Sequence, residues 1–215
     1  MNPGVLMVMM EPPPELETLY DAWYELELIP DHLRVPGITM GSRWMCLGGW
    51  PRHMAMYDLE SLAVLHSEAY RSMTADRFSP WSKWMLARVM GRERMVWEQR
   101  SPTPHGTGER SRGLVLVRLR GRCGSTVEAA LDRLEIPPEC SSRVLESAAS
   151  SRLTWGAPAA ETAVIIDSPA LALIPSWEGA PLARALGGLA GELIGVWRYA
   201  RYIPAQRPPS APMEE

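Results

Sequence analysis

The sequence predicts an α+β chain: tandem ferredoxin-like repeats forming a single-chain, pseudo-dimeric α+β barrel. Three observations predict it. An apolar run of strand length, Gly4-Val5-Leu6-Met7-Val8-Met9-Met10, has a counterpart in Gly113-Leu114-Val115-Leu116-Val117-Arg118-Leu119. Asp58 and Ser61 ahead of a Leu/Ala/Val segment are echoed by Asp167 and Ser168, and Val96-Trp97 with Pro102 by Val196-Trp197 with Pro204. Finally, both faces of the best strands are apolar, whereas a sheet with one wet face alternates apolar with polar. Each sheet therefore needs cover on its second face, and the other repeat supplies it.

Residues 4–10 read as the first strand. Pro12-Pro13-Pro14 breaks it, and a helix begins near Pro14, where a missing N–H costs nothing. Leu16, Leu19, Tyr20, Trp23 and Leu26 follow at helical spacing, and Pro30 is expected to end the helix. Pro36-Gly37 marks a turn. Residues 38–47 and 52–59 alternate as strands around Gly48-Gly49, which predicts a hairpin. Residues 61–73 look helical. Ser79-Pro80 starts another helix, with Ser79 as N-cap, and Gly91 is expected to close it. Residues 94–100 form the fourth strand, completing a β-α-β-β-α-β order. The second copy reads more weakly. It has a strand at 113–119, a helix near 126–135, strands near 143–149 and 162–167, a helix near 180–190 and a last strand near 194–202.

This divides the chain into a first repeat (1–102), a polar, turn-rich linker (103–112), a second repeat (113–204) and a frayed Pro- and Glu-rich tail (205–215). The chain's 215 residues suffice for a real core. A net charge of −3 gives no electrostatic footprint for nucleic acid. No apolar run approaches the roughly 20 residues a membrane helix needs. Cys46, Cys123 and Cys140 form no C-x-x-C pair and read as reduced thiols, and the N-terminus lacks the features of a secretory signal. The expected setting is the cytoplasm, as a monomer or homodimer.

From residue 4 to about 102 the chain resembles the EthD-type branch of the dimeric α+β barrel proteins. The resemblance is carried by the first strand with Glu11-Pro12-Pro13; by Trp23-Tyr24, Glu27, Pro30 and Leu33; by Val35-Pro36-Gly37; by Trp50-Pro51 ahead of Tyr57-Asp58-Leu59-Glu60; by Ser67 and Ala69-Tyr70; and by Phe78-Ser79-Pro80-Trp81. The second half matches only in pattern. The resemblance implies a small cytosolic protein whose barrel encloses a pocket for a hydrophobic, often aromatic, molecule. The wider superfamily includes cofactor-free monooxygenases, cyclases, isomerases and some haem enzymes. It implies no cofactor here and leaves haem open. The family's helix-end motif reads W-Y-x-x-E-H-x-P, with its His toward the pocket. Here Trp23, Tyr24, Glu27 and Pro30 match, but Leu28 holds the His position. A leucine moves no proton, and His32, one helical turn on, is the nearest substitute.

The candidate catalytic residues are His32 and His53 as acid/base, Tyr57 as a partner for oxyanion charge, and Glu27, which shares a helical face with Trp23. His53 and Tyr57 stand four apart on one strand and so share a face, opposite that of Arg52 and Asp58. Arg43 either holds a substrate carboxylate or phenolate or pairs with an acid such as Asp58. Trp23, Tyr24, Trp44, Trp81 and Trp97 are the candidate substrate-binding aromatics in a chain with nine Trp and thirteen Met against one Phe. They equally suit a filled core. The four histidines show no metal-ligand spacing, so no metal is expected. The reading is a cofactor-independent enzyme that acts by proton transfer on an aromatic or polyketide-like molecule. The alternative is a non-catalytic binding or accessory barrel.

Overall fold

Eight antiparallel strands hydrogen-bond in the closed order β1-β3-β2-β8-β5-β7-β6-β4. The computed structural model describes residues 2–73, 77–100, 111–121, 123–132, 136–148, 160–171 and 192–209. The first repeat supplies β1 (Gly4–Glu11), β2 (Ile38–Cys46), β3 (His53–Leu59) and β4 (Met90–Gln99). The second supplies β5 (Gly113–Arg120), β6 (Ser141–Ser147), β7 (Glu161–Ser168) and β8 (Glu192–Gln206). Within the barrel the first four lie in the order 4-1-3-2, and the second four repeat it as 8-5-7-6. The two ferredoxin-like sheets join at two equivalent seams. The second strand of each repeat pairs with the last strand of the other: β2 with β8, and β6 with β4. Closure removes every sheet edge.

The closed barrel explains why the strands are apolar on both faces. Val5, Met7 and Met9 point into the lumen with Trp44, Met54, Met56, Met95, Trp97, Leu114, Leu116, Leu145 and Tyr199. Leu6 and Met10 point outward, beneath the helices of the first repeat. In β5 the alternate residues Val115, Val117 and Leu119 pack under α5 (Gly124–Leu131). Among the described residues these lumen-facing side chains form one buried cluster, as small eight-stranded barrels permit. Each lumen end carries charge. At one, the Arg118 guanidinium lies 2.9 Å from both Glu93 and Glu161. At the other, Arg143 meets Asp58 at 2.6 Å and Arg201 lies 4.3 Å over the Trp44 ring.

Several boundaries differ from expectation. Pro30 does not end the first helix. α1 (Glu17–Trp23) passes through a wide π turn, Tyr24–Leu28, into α2 (Ile29–Leu33). Pro30 follows the π turn directly, and that widened turn accommodates a residue that has no N–H to donate. Residues 61–73 form a 3₁₀ turn, Leu62–His66, and a short α3 (Glu68–Arg71) rather than one helix. α4 (Pro80–Leu86) starts on the Ser79 cap as predicted but ends before Gly91, which opens β4 with φ +56°. β8 runs through Gln206, into the expected tail. The helix predicted near 180–190 and most of the predicted linker lie outside the described residues.

Candidate active site

The sequence-predicted residues divide between the two faces of the first sheet. Trp44 and Trp97 face the lumen, each 1% exposed. Trp23, Tyr24, Tyr57 and the partly buried Trp81 belong to the layer between sheet and helices. Register puts His53 and Arg43 in that layer too, because Arg43 is paired with Ala55, which alternates with His53 and Tyr57 along β3. The expectation that His53 and Tyr57 share a face therefore holds, but that face looks away from the barrel interior.

The π turn decides which helix residues join them. Tyr20, Trp23 and Tyr24 point inward, and the next inward residues are Ile29, His32 and Leu33. A regular helix continuing from Tyr24 would present Leu28 and Asp31 instead. The extra residue of an i→i+5 turn rotates the following turn by one position. Leu28 is thus displaced to the wall of an open cleft of ≈ 450 Å³, with Val35, Met73 and Phe78. His32 does not line that cleft. It lies beneath, stacked on Tyr57 with ring centres 4.2 Å apart.

His32 Nδ1 donates to the Leu28 carbonyl at 2.7 Å. That bond fixes the tautomer, so Nε2 carries the lone pair. Burial lowers the His32 pKa to about 4, with the Arg94 charge acting in the same direction. His53 has the opposite tautomer. Arg43 Nη2 donates to its Nδ1 at 3.2 Å, which leaves the proton on Nε2. Burial and then the Arg43 charge push the His53 pKa down, so the ring is neutral. Glu17 Oε1 is 3.4 Å from His53 Nε2, an ion pair only for the protonated ring.

Arg43 does not pair with Asp58, which sits on the other face and binds Arg143. Its guanidinium donates to Asp21 at 2.8 Å and is packed by aromatic rings, 4.5 Å from Tyr24 and 5.2 Å from Tyr20. Glu27 is part of a structural network. Its Oε1 accepts from Ser79 Oγ at 2.6 Å and Ser82 Oγ at 2.5 Å, while Trp23 Nε1 donates to Ser82 Oγ. The carboxylate therefore ties the π turn to the start of α4 and faces no basic side chain in that network.

Tyr57 Oη, Arg43 Nη1 and His53 Nε2 are buried with no hydrogen-bond partner among the described residues, and Tyr24 Oη, which accepts from Tyr20, has no acceptor of its own. Each is a donor. Burial raises both tyrosine pKa values, so the phenols keep their protons. Buried polar groups are nearly always paired, and four unpaired donors in one layer leave an unmet demand for an acceptor. A carbonyl, enolate or phenolate oxygen would meet it. Sequence reasoning missed Tyr20, Asp21 and Tyr202, which complete the surroundings of Arg43. Tyr20 read as one more member of an apolar stripe, and Tyr202 lies in the diverged repeat.

No family model and no curated protein sequence matches the chain. Solved structures do. The fold is similar to that of an anthrone oxidase-like protein, with TM-score 0.65 and 15% identity over 96% of this chain and 93% of that one. It is similar to a heme-binding protein from Thermus thermophilus, with TM-score 0.52 and 13% identity over 93% and 91%. Chlorite dismutase from Candidatus Nitrospira defluvii gives TM-score 0.51 and 9% identity over 93% and 90%. These neighbours are dimeric α+β barrel proteins, and at such identities the likeness establishes that fold for this chain.

One of these neighbours is a heme-binding protein, and the described residues do not form a slot for that group. His53 Nε2 faces Glu17 at 3.4 Å and its ring is 4.9 Å from that of Tyr20. His32 is covered by Tyr57, with the Tyr70 ring centre 6.0 Å away. The three described clefts have no histidine or cysteine in their walls. Among the described residues no group of three His, Cys, Asp or Glu could hold a metal ion.

Proposed function

We propose that the protein is an enzyme of EthD type that works by proton transfer, without a tightly bound cofactor, on an aromatic or polyketide-like molecule. The unpaired donors of the helix–sheet layer carry this reading. Arg43 Nη1, His53 Nε2 and the hydroxyls of Tyr24 and Tyr57 would hold the oxygen on which negative charge develops as a neighbouring carbon loses its proton. His32 Nε2 would take that proton as general base. Trp23 and Trp81 would support the ring, while Trp44 and Trp97 stabilise the barrel from the lumen. An anthrone oxidase-like protein among the structural neighbours supports the same substrate class.

Native mass spectrometry of the freshly purified protein identifies any carried ligand and gives the substrate for kinetics. Tyr57→Phe and Arg43→Met are expected to lower kcat by about 10²–10³ each, the usual cost of an oxyanion donor. Activity should persist below pH 6 and fall as pH drops through about 4, where His32 becomes protonated. Unchanged turnover in both His32→Ala and His53→Ala would sink the catalytic assignment.

One observation favours a second reading, a non-catalytic binding protein. Leu28, where the family carries its His, lines the ≈ 450 Å³ cleft with Val35, Met73 and Phe78, beside the charged Asp31, Arg34 and Arg77. A ligand that competes there and leaves Tyr57→Phe binding unchanged would support it.

A further inference from the structure

Arg43 and His53 are each 1% exposed, so a ligand reaches them only after something in their surroundings moves. Tyr20 and Tyr24, which pack on Arg43, are core residues. On the solvent side stand Glu17, Asp21 and Tyr202. Tyr202 is 43% exposed, the most open of these contacts. Its ring lies 5.0 Å from the Arg43 guanidinium carbon and 6.1 Å from the His53 ring. Its hydroxyl donates to Asp21 Oδ2 at 2.5 Å. Asp21 Oδ1 accepts from Arg43, so one carboxylate binds both the guanidinium and the side chain above it.

The backbone of β8 is built to put Tyr202 there. Trp44 pairs with Arg201 and Arg43 with Ile203, so Tyr202 is an extra residue with no opposite partner in β2. Successive residues of a strand face opposite sides of the sheet. Arg201 lies on Trp44 in the lumen, and Tyr202 lies on Arg43 in the outer layer.

We propose that Tyr202 is the movable cover of the Arg43–His53 donor pair, latched by Asp21, so that the second repeat controls entry to the site of the first. The cover's role in admitting a substrate rests on the function proposed above; its role in closing off His53 does not. Swinging the Tyr202 side chain away breaks one hydrogen bond and exposes one face of each group, and the buried tyrosines stay in place.

The test is acylation of His53 by diethyl pyrocarbonate, followed residue by residue with peptide mass spectrometry. It needs no substrate. Tyr202→Phe keeps the ring and loses the latch; His53 should react about tenfold faster, the factor that matches one hydrogen bond to a charged group. Tyr202→Ala should accelerate it further. His32 should stay protected in both variants, because Tyr57 and not Tyr202 covers it. An unchanged His53 rate in both variants overturns the proposal. So does parallel acylation of His32 in both, which would mean lost structure instead of an opened cover. If instead His53 opens as expected but His32→Ala and His53→Ala leave turnover unchanged, the cover stands and the catalytic assignment falls.

Discussion

His32 has the side chain whose chemistry burial changes most. Its folded pKa of about 4 lies below the unfolded value near 6.5, so the unfolded chain takes up a proton that the folded chain refuses. The resulting stability is fully present above pH 6.5 and is lost as pH falls toward 4. The loss amounts to roughly 3 kcal/mol, and His53, shifted in the same direction, adds to it. Urea unfolding at pH 7.5 and pH 5 should therefore show a marked fall in midpoint, and His32→Asn should flatten it. Equal pH dependence in the variant would show that His32 is not the buried neutral base. The sequence identified His32, His53, Tyr57 and Arg43 as residues with chemistry to offer. It did not reveal their tautomers, because those follow from single contacts, Leu28 carbonyl for one imidazole and Arg43 for the other.

At the scale of the element, the π turn at Tyr24–Leu28 decides that His32, and not Leu28, faces inward. A π turn is a one-residue excess in a helix, and here it exchanges the inward position of Leu28 for that of His32. Leu26, 72% exposed, sits inside this turn. Deleting it should restore regular helical spacing between Tyr24 and His32 and leave the fold intact. An NMR titration of His32 in the deletion variant should still give a pKa near 4; a value near 6.5 would show that the turn, not the packing beneath it, holds the ring inward. Periodicity could not show this turn, because Pro30 looks like a terminator when the local widening that accommodates it is unseen. The bulge at Tyr202 was hidden for a related reason: alternation is read along one strand, and an extra residue shows only against its partner strand.

In the whole molecule, charge and closure hold two unequal repeats together. Arg118 of the second repeat binds Glu161 of its own and Glu93 of the first, with 9% of the Arg118 side chain exposed. Arg118→Ala leaves two carboxylates without their counter-ion at one end of the lumen. It should cost about 3 kcal/mol in urea unfolding, as breaking a buried ion pair from one side does. A change within experimental error would mean that solvent already screens this end. The same closure leaves the candidate layer outside the barrel, where each repeat can carry a different set of side chains.

The sequence by itself determined the architecture. Two apolar strands of similar pattern, apolar on both faces, can be stable only where a second sheet covers the first, and burial of that much apolar surface leaves few alternatives. It also determined which residues of the first repeat could carry chemistry. Tertiary structure alone decided where those side chains lie. Side chains equally polar in the sequence were sorted by register, by a one-residue helical excess and by a bulge in a distant strand. Those features set the direction of a side chain, and direction depends on the partner across the sheet, which no single segment of sequence contains.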